Sequence, residues 1–153
     1  MANTLYKDHQ NAKEVIDKCE ACYVGMIDQE NLPYVLPFNF GYQDEVIYLH
    51  SAPFGKKIDV LKNNPNVCVN FSTDHQLFHR HERVACSYGM RYRSVLAFGK
   101  VVFIEDYDEK ERVLNIIMQK YTGKDFDYNS PAVNNVSIYK VIIDRIETKI
   151  SNY

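Results

Sequence analysis

Two lysines that follow a short turn have the composition of a phosphate-binding site. Val46 to Leu49 are β-branched, aromatic or aliphatic and suit a strand, and His50 to Gly55 form a turn of small and polar residues. Lys56 and Lys57 then begin an amphipathic helix. The free N–H groups and the dipole at a helix start bind phosphate readily, and two ammonium groups add positive charge. The stretch matches neither the Walker pattern nor the dinucleotide fingerprint, so a solvated helix start is the alternative.

Three histidines, His75, His79 and His81, form a second candidate group. On a helix, His75 and His79 would share one face, but no third ligand is specified and the glutamate of the metalloprotease pattern is missing. A solvated loop is therefore favoured over a metal site. Histidines beside a ligand can also steer or protonate a substrate.

The four cysteines do not form a metal-binding pattern. Cys19 and Cys22 have C-x-x-C spacing, but Cys68 and Cys86 do not supply the second pair that a zinc ribbon needs. We expect all four to be free thiols in a reducing compartment.

Two arginines come before an apolar strand. In an extended chain, Arg91 and Arg93 share one face, and Tyr92 and Ser94 share the other. A fixed guanidinium binds phosphate or carboxylate through two hydrogen bonds, although these arginines could also be surface charges.

The composition is that of an ordinary globular protein. The chain has 153 residues, of which 46% are hydrophobic and 25% charged, and a formal charge of −2. We expect one domain over residues 1–153, with no non-specific binding to nucleic acid. No apolar run is long enough to span a membrane, and the N-terminus lacks the apolar core of a signal peptide, so we expect a cytoplasmic protein.

The first half of the chain predicts a helix and a hairpin beside the lysine helix. Residues 1–11 should be a loose arm, and a helix over Ala12 to Lys18 should be capped by Asp8 or Asn11. Strands over 21–27 and 33–42 should pair as a hairpin. Pro37 cannot donate to a ladder, so it predicts an edge or a bulge.

The second half predicts further strands around one long helix. We expect a strand over Val67 to Ser72, a loop over Thr73 to Arg83, and two strands within 84–104 that are joined by a turn or a twisted continuation at 91–93. A helix should follow, with Asp108 and Glu111 at its N-terminal cap and Gly123 at its end. The last elements should be a loop over 124–135 and a final strand over Val136 to Ile146. Six or seven strands joined mostly by short turns favour a small antiparallel barrel.

Four stretches, taken together, resemble a known family. They are P-Y-V-L-P-F-N-F-G-Y, V-I-Y-L-H-S-A-P-F-G-K-K-I-D-V-L, N-V-C-V-N-F and Y-R-S-V-L-A-F-G-K-V. In this order they are similar to the pyridoxamine 5′-phosphate oxidase-related, flavin-binding split-barrel proteins, and within them to the nitroimidazole-resistance branch. The resemblance runs from about Cys22 to Tyr121.

The resemblance implies a mainly β fold, a six-stranded antiparallel split barrel with Greek-key topology. It also implies a homodimer with two flavin sites at the subunit interface, holding FMN or occasionally FAD. Tyr92, Arg93 and Ser94 would approach from the partner subunit. The other implied cofactor contacts are Leu36, Pro37, Phe38 and Asn39 at the ring, His50, Ser51 and Ala52 at the ring and ribityl chain, Lys56 and Lys57 at the phosphate, and Asn70 and Phe71 along the cofactor.

The same resemblance implies a flavin-dependent reductase that acts on a small molecule. Nitroaromatic compounds are the expected acceptors, a nicotinamide nucleotide is the expected donor, and His50 is the candidate acid or base. The R-x-H segment of pyridoxamine phosphate oxidases is not found near the end of the chain, which argues against vitamin B6 oxidation. The alternative is a non-catalytic protein that binds flavin or haem.

Overall fold

Alternating apolar and polar residues give each long strand one face for a core, and the sheet curls to enclose that face. The computed structural model describes residues 2–153. The strands are β1 (Asn3–Tyr6), β2 (Cys22–Ile27), β3 (Pro33–Phe38), β4 (Phe40–Gln43), β5 (Val46–Ser51), β6 (Asn66–His79), β7 (Tyr88–Ile104) and β8 (Ser137–Ser151). The α-helices are α1 (His9–Lys18), α2 (Lys56–Asn63), α3 (Tyr107–Thr122) and α4 (Ser130–Asn134).

The strand order is β3-β2-β6-β7-β8-β5-β4, and β1 pairs with β8 outside this path. The two end strands, β3 and β4, follow each other in the chain and are separated by Asn39 alone. One residue spans only a few ångströms, so the sheet must curl until its ends meet. If β3 and β4 count as one bent strand, the barrel has six strands. Because β6 returns through α2 to lie beside β2, the first four of them form a Greek key, which confirms the predicted split barrel.

Apolar side chains fill both sides of this sheet. Inside the barrel lie alternate residues of the strands, such as Val69 and Phe71 of β6, together with Ile16 of α1 and Leu61 of α2. On the outside, α3 and α4 pack against β5 and the end of β7, where the buried residues are Tyr48, Ile104, Val113, Leu114, Ile117, Val133 and Ile138. No helix within residues 2–153 is long and apolar enough to cross a membrane.

The end strand β3 carries two prolines. Pro33 and Pro37 face Ile27 and Tyr23 of β2, in a register that continues without a shift from Phe38 to Pro33. Of the two alternatives predicted at Pro37, an edge or a bulge, the structure shows the edge. The predicted single strand over 33–42 is interrupted two residues later, at Asn39.

The predicted loop over Thr73 to Arg83 is wrong for its first half. After a register shift between Thr73 and Gln76, β6 continues to His79, which pairs with Tyr88 of β7. Polar residues can extend a strand where a neighbour offers ladder partners, because the backbone makes the hydrogen bonds. For the same reason 91–93 is a continuation of β7 and not a turn, and β8 continues to Ser151 beside it.

Three smaller expectations need correction. The arm over residues 1–11 contains β1, which pairs with β8, and the loop over 124–135 contains α4. The cap of α3 is Asp106, whose carboxylate accepts from Glu109 N at 2.9 Å, and not Asp108. Both aspartates suit a cap, and the helix takes the earlier one because β7 has already ended at Ile104. The predicted cap of α1 by Asp8 and the stop of α3 at Gly123 are confirmed.

Candidate functional site

The start of α2 lacks the side-chain cap that the other three α-helices have. Asp8, Asp106 and Asn129 each accept a hydrogen bond from a backbone N–H at a helix start, whereas α2 begins at Gly55 with no such bond. Gly55 has φ of 114° and ψ of 175°, a backbone conformation close to glycine-only. A helix start that is left uncapped after an exposed turn presents its N–H groups to an anion.

Both lysines lie over aromatic rings on β3. Lys56 Nζ is 4.5 Å from the centroid of the Tyr34 ring, and Lys57 Nζ is 5.1 Å from that of Phe38. Lys56 Nζ is also 3.9 Å from Asp28 Oδ2, at the limit of a salt bridge, and no salt bridge of Lys57 is found within residues 2–153. Each ammonium therefore packs on an aromatic ring of β3, and only that of Lys56 has a carboxylate nearby in the described chain.

His50 and Ser51 end β5 beside this helix start. The Tyr139 hydroxyl donates to Ser51 Oγ at 3.1 Å, and Ser51 Oγ donates to the carbonyl oxygen of Ala52 at 3.0 Å. Tyr139 lies in β8, and the centroids of its ring and the Phe38 ring are 6.3 Å apart. Tyr139 therefore contacts both Ser51 of the turn and the aromatic ring that lies beneath Lys57. Tyr139 is not among the residues predicted for the site, since its role follows only from the pairing of Leu49 with Tyr139 across β5 and β8.

The imidazole of His50 has an unsatisfied nitrogen. Its Nδ1 atom is buried and has no hydrogen-bond partner among the described residues. Burial is the main reason that the pKa of His50 lies below its usual value of 6.5. The positive charge of Lys57 acts in the same direction, and a backbone hydrogen bond opposes both. A buried polar atom of this kind needs a partner, which a ligand can supply.

The wild-type protein will lose more stability than a His50→Gln variant when the pH falls from about 7.5 to about 5.5. Because the folded-state pKa is lowered, the unfolded chain binds more protons below pH 6.5, so protons favour unfolding there. Well above that pH the imidazole of His50 is neutral in both the folded and the unfolded state, so it no longer makes the free energy of unfolding depend on pH. Urea unfolding at the two pH values measures the difference. A His50→Gln variant whose stability depends on pH as that of the wild type does would contradict the assignment.

Replacing Gly55 with alanine will lower the free energy of unfolding by about 2 kcal/mol, because the new side chain must adopt a strained φ. A Cβ at Gly55 meets no atom within 4 Å, so the cost comes from the backbone alone. Gly123→Ala is the matched control, since its φ is +70° and its Cβ is equally unobstructed. Both variants should be less stable in urea, and Gly55→Ala alone should lose affinity for inorganic phosphate.

The predicted ring contacts on β3 face in two directions. Leu36 and Phe38 point into the barrel core, whereas Pro37 and Asn39 are exposed. On β6, Phe71 is fully buried against Phe40, with 4.9 Å between the ring centroids. The amide of Asn70 lies on the outer face and donates to the carbonyl oxygen of Val95 at 3.5 Å. Pro37, Asn39 and Asn70 are therefore the members of this set that present side chains to a ligand outside the barrel.

The structure does not bring Tyr92, Arg93 and Ser94 to this site within one chain. Arg93 pairs with Ile150, while Phe103, ten residues further along β7, pairs with Tyr139. Ten strand residues span roughly 30 Å. The Arg93 guanidinium donates to Asp74 Oδ2 at 2.7 Å and stacks 4.0 Å from the Tyr153 ring centroid. These three residues can reach such a site only from a second copy.

The histidine group does not form a metal centre in the described part of the chain. His75 Nε2 lies 2.7 Å from Ser72 Oγ, and the His79 ring lies 4.8 Å from that of Tyr88. No group of three metal-ligating side chains is found within residues 2–153. The four cysteines are free thiols, as predicted, and burial raises the pKa of Cys22 to about 12.

A cleft of about 880 Å³ lies elsewhere, between α1, β4 and α3. Its lining includes Tyr42, Arg112 and Lys120, and it contains none of the predicted cofactor contacts. Within the turn from His50 to Lys57, residues 52–56 are exposed in the single chain.

Comparisons with known proteins agree with this fold. The sequence profile of the family described as pyridoxamine 5′-phosphate oxidase matches residues 8–150. No curated protein matches this chain significantly.

Among solved structures, the chain is similar to a candidate 5-nitroimidazole antibiotic resistance protein from Bacteroides thetaiotaomicron. The two are 44% identical with a TM-score of 0.86, over 98% of this chain and 89% of the other. Two further structures share the fold at lower identity. The flavocytochrome Anf3 from Azotobacter vinelandii is 18% identical, with a TM-score of 0.83 over 97% of this chain and 70% of the other. The FAD and haem binding protein from Mycobacterium smegmatis is 17% identical, with a TM-score of 0.84 over 97% and 74%.

Proposed function

This chain belongs to the pyridoxamine 5′-phosphate oxidase family, and on that premise we propose that it is a flavin-dependent oxidoreductase that binds FMN at the start of α2. The uncapped helix start beside Lys56 and Lys57 carries this proposal, because it joins three features that a phosphate dianion needs: free N–H groups, a helix dipole and two cations. Of the two flavins, FMN ends in such a dianion.

The residues around the helix start fit the rest of the cofactor. Gly55, Lys56 and Lys57 would hold the phosphate, and Ser51, fixed by Tyr139, would contact the ribityl chain. The buried Nδ1 of His50 would make its missing hydrogen bond to the cofactor. When bound, FMN supplies hydride and electron transfer, and the protein positions it and tunes its electronics.

His50 would be an uncharged hydrogen-bond partner for the cofactor. Its lowered pKa keeps the imidazole neutral at pH 7, so it can accept or donate a single proton in a hydrogen bond. The ammonium of Lys57 also lowers the pKa of His50.

The proposed acceptor is a nitroaromatic compound of the 5-nitroimidazole type, and the proposed electron donor is a nicotinamide nucleotide. Support comes from the similarity, at 44% identity over 98% of this chain, to a candidate 5-nitroimidazole antibiotic resistance protein. An open site beside an exposed turn suits small, exchangeable substrates.

The test begins with equilibrium dialysis of the purified protein against FMN, FAD and riboflavin. The FMN-loaded protein is then mixed without oxygen with NADH or NADPH, and a 5-nitroimidazole is added. We expect the visible flavin absorbance to bleach with the donor and to return with the acceptor. A protein that takes up no flavin would overturn the proposal.

A non-catalytic flavin- or haem-binding protein is the alternative, and the same experiment separates the two. Flavin that binds but is not bleached by either nucleotide would favour storage or sensing over catalysis. The homodimer and the cytoplasmic location stay predictions. For the homodimer, the outer face of the sheet carries apolar side chains, of which Tyr23 is exposed and Leu96 and Phe98 are half-buried.

A further inference from the structure

The cleft between α1, β4 and α3 runs beside an end strand of the sheet. β4 pairs only with β5, so its other edge is free. The Phe40 N–H points to that free side, because it donates to the Tyr121 hydroxyl of α3 at 3.1 Å. The direction of these groups alternates along an antiparallel strand, so the N–H and C=O of Tyr42 also point away from β5. No hydrogen bond of either group is found within residues 2–153, which leaves one donor and one acceptor at this edge.

The side chain of Tyr42 adds a third polar group without a partner. It lines the cleft, and its hydroxyl oxygen is buried without a hydrogen-bond partner among the described residues. Burial raises the pKa of this hydroxyl to about 12, and the carboxylates of Glu45 and Asp17 act in the same direction, so the group is a neutral donor. Water or a ligand must satisfy such an atom, and the cleft of about 880 Å³ beside it can hold a small organic molecule.

The charged side chains of the cleft leave one cation and one anion unpaired. Six of them line it, three of each sign, and four already have a partner: Lys13 and Asp17 pair with each other, Arg112 with Glu109, and Asp125 with Gln119. The other two, Lys120 and Asp44, have no salt bridge within residues 2–153. Burial is the main reason that the pKa of Lys120 is lowered, so an anion beside it would stabilise its charged form.

These two charges lie at opposite ends of β4. Lys120 Nζ is 4.4 Å from the centroid of the Phe40 ring, at the first residue of the strand, and Asp44 follows the last residue, Gln43. From Phe40 to Gln43 the strand spans about 10 Å, with Tyr42 between the two charges. An extended chain of about three residues has the same length, so a ligand that carries a charge at each end of such a chain matches the cleft.

We propose that this cleft binds a short free peptide, of about three residues, that runs antiparallel to β4. Its C-terminal carboxylate lies at Lys120, its N-terminal ammonium lies at Asp44, and the N–H and C=O of its middle residue pair with those of Tyr42. The charges set the direction, since the cation stands at the beginning of β4 and the anion at its end. The peptide is short because Tyr121 already covers the edge at Phe40, so one residue of β4 is left to pair.

Three forms of tri-alanine test both ends of the peptide: Ala-Ala-Ala, its C-terminal amide and its N-acetyl derivative. We expect the amide to bind about tenfold more weakly than Ala-Ala-Ala, because it lacks the charge that meets the half-buried Lys120. The acetylated form should lose about fivefold, since Asp44 is exposed. Amide NMR titration of the isotope-labelled protein gives the dissociation constants, and the backbone amide signal of Tyr42 should shift on binding.

Two variants assign each end of the peptide to its residue. Lys120→Met should bind Ala-Ala-Ala and its amide equally, and Asp44→Asn should bind Ala-Ala-Ala and its acetylated form equally. Asparagine suits position 44, where φ is 51°, because it tolerates the left-handed region. Lys100→Met and Glu30→Gln change exposed residues outside the cleft and should keep both preferences. A variant that loses one preference and keeps the other must be folded.

Four outcomes would overturn the proposal: no binding of Ala-Ala-Ala at millimolar concentration, equal binding of its three forms to the wild type, preferences that both cleft variants retain, or free alanine binding as tightly as the peptide. The cleft contains none of the predicted cofactor contacts, so the inference does not rest on the flavin site. Uptake of FMN without peptide binding would reject the peptide site alone, and peptide binding without uptake of FMN would reject the flavin site alone.

Discussion

Replacing both lysines at the start of α2, as Lys56→Met/Lys57→Met, will weaken FMN binding about 100-fold and leave riboflavin binding almost unchanged. Each ammonium–phosphate hydrogen bond at a partly exposed site contributes about 1.4 kcal/mol, near the lower end for charged groups. Methionine is an unbranched apolar side chain of similar length, so the substitution removes the ammonium groups that lie over Tyr34 and Phe38 while keeping most of the side-chain volume. Fluorescence titration of each flavin gives the two dissociation constants.

A lysine elsewhere on the same helix provides the control. Lys62, in the last turn of α2, lies 5.8 Å from the centroid of the Phe103 ring. Lys62→Met removes one positive charge from α2 at the end away from the proposed phosphate, so FMN affinity should stay within about twofold of the wild type. Equal weakening of FMN and riboflavin in the double variant would contradict the phosphate assignment.

Replacing Gly99 with alanine will lower the free energy of unfolding by about 3 kcal/mol or more, the upper range for overpacking a core. A Cβ at Gly99 would lie 2.1 Å from the carbonyl oxygen of Ile142 and 2.9 Å from its carbonyl carbon. These are backbone atoms of the paired strand β8, which cannot rotate away as a side chain can. The register shift between Phe98 and Gly99 creates this close approach.

Gly25→Ala is the matched comparison for Gly99→Ala. It also adds a methyl group to a strand glycine, but its Cβ would lie 3.2 Å from the nearest atom, the carbonyl oxygen of Cys68. A shift of a few tenths of an ångström relieves that contact, so the cost should be below about 1 kcal/mol. Urea unfolding of the three proteins measures both costs. Similar stability of the two variants would show that β7 and β8 can separate at the bulge.

Local patterns predicted α1, α2 and α3 and the central parts of the barrel strands, but not β1 or α4. The spacing of Ile58, Val60 and Leu61 predicts the buried face of α2, and all three are buried. The strand predicted over Val67 to Ser72 lies within β6, whereas the complete burial of Phe71, an implied cofactor contact, was not predicted. Short turns account for the pairing of β2 with β3 and of β4 with β5, whereas the Greek-key order was implied by the family resemblance alone.

Features that depend on distant pairing could not be predicted from local sequence. Residues 73–79 read as a polar loop, and they form a strand because Tyr88 to Arg93 offer a ladder partner. Tyr139 looks like any strand tyrosine until β5 and β8 place its hydroxyl on Ser51. The distance between Arg93 and His50 likewise depends on the length of β7. Polar residues at 91–94 made this strand look like two shorter ones, although it is continuous from Tyr88 to Ile104.

The two prolines of β3 have a consequence for the behaviour of the protein in concentrated solution. A proline cannot donate to a ladder, so Pro33 and Pro37 must occupy the positions of β3 whose backbone groups point away from β2. Of the alternate residues 33, 35 and 37, which share that orientation, only Val35 retains an N–H donor along the outer margin of the sheet. A foreign strand would find too few donors there to add itself, so this margin resists amyloid-like growth even when molecules are crowded together.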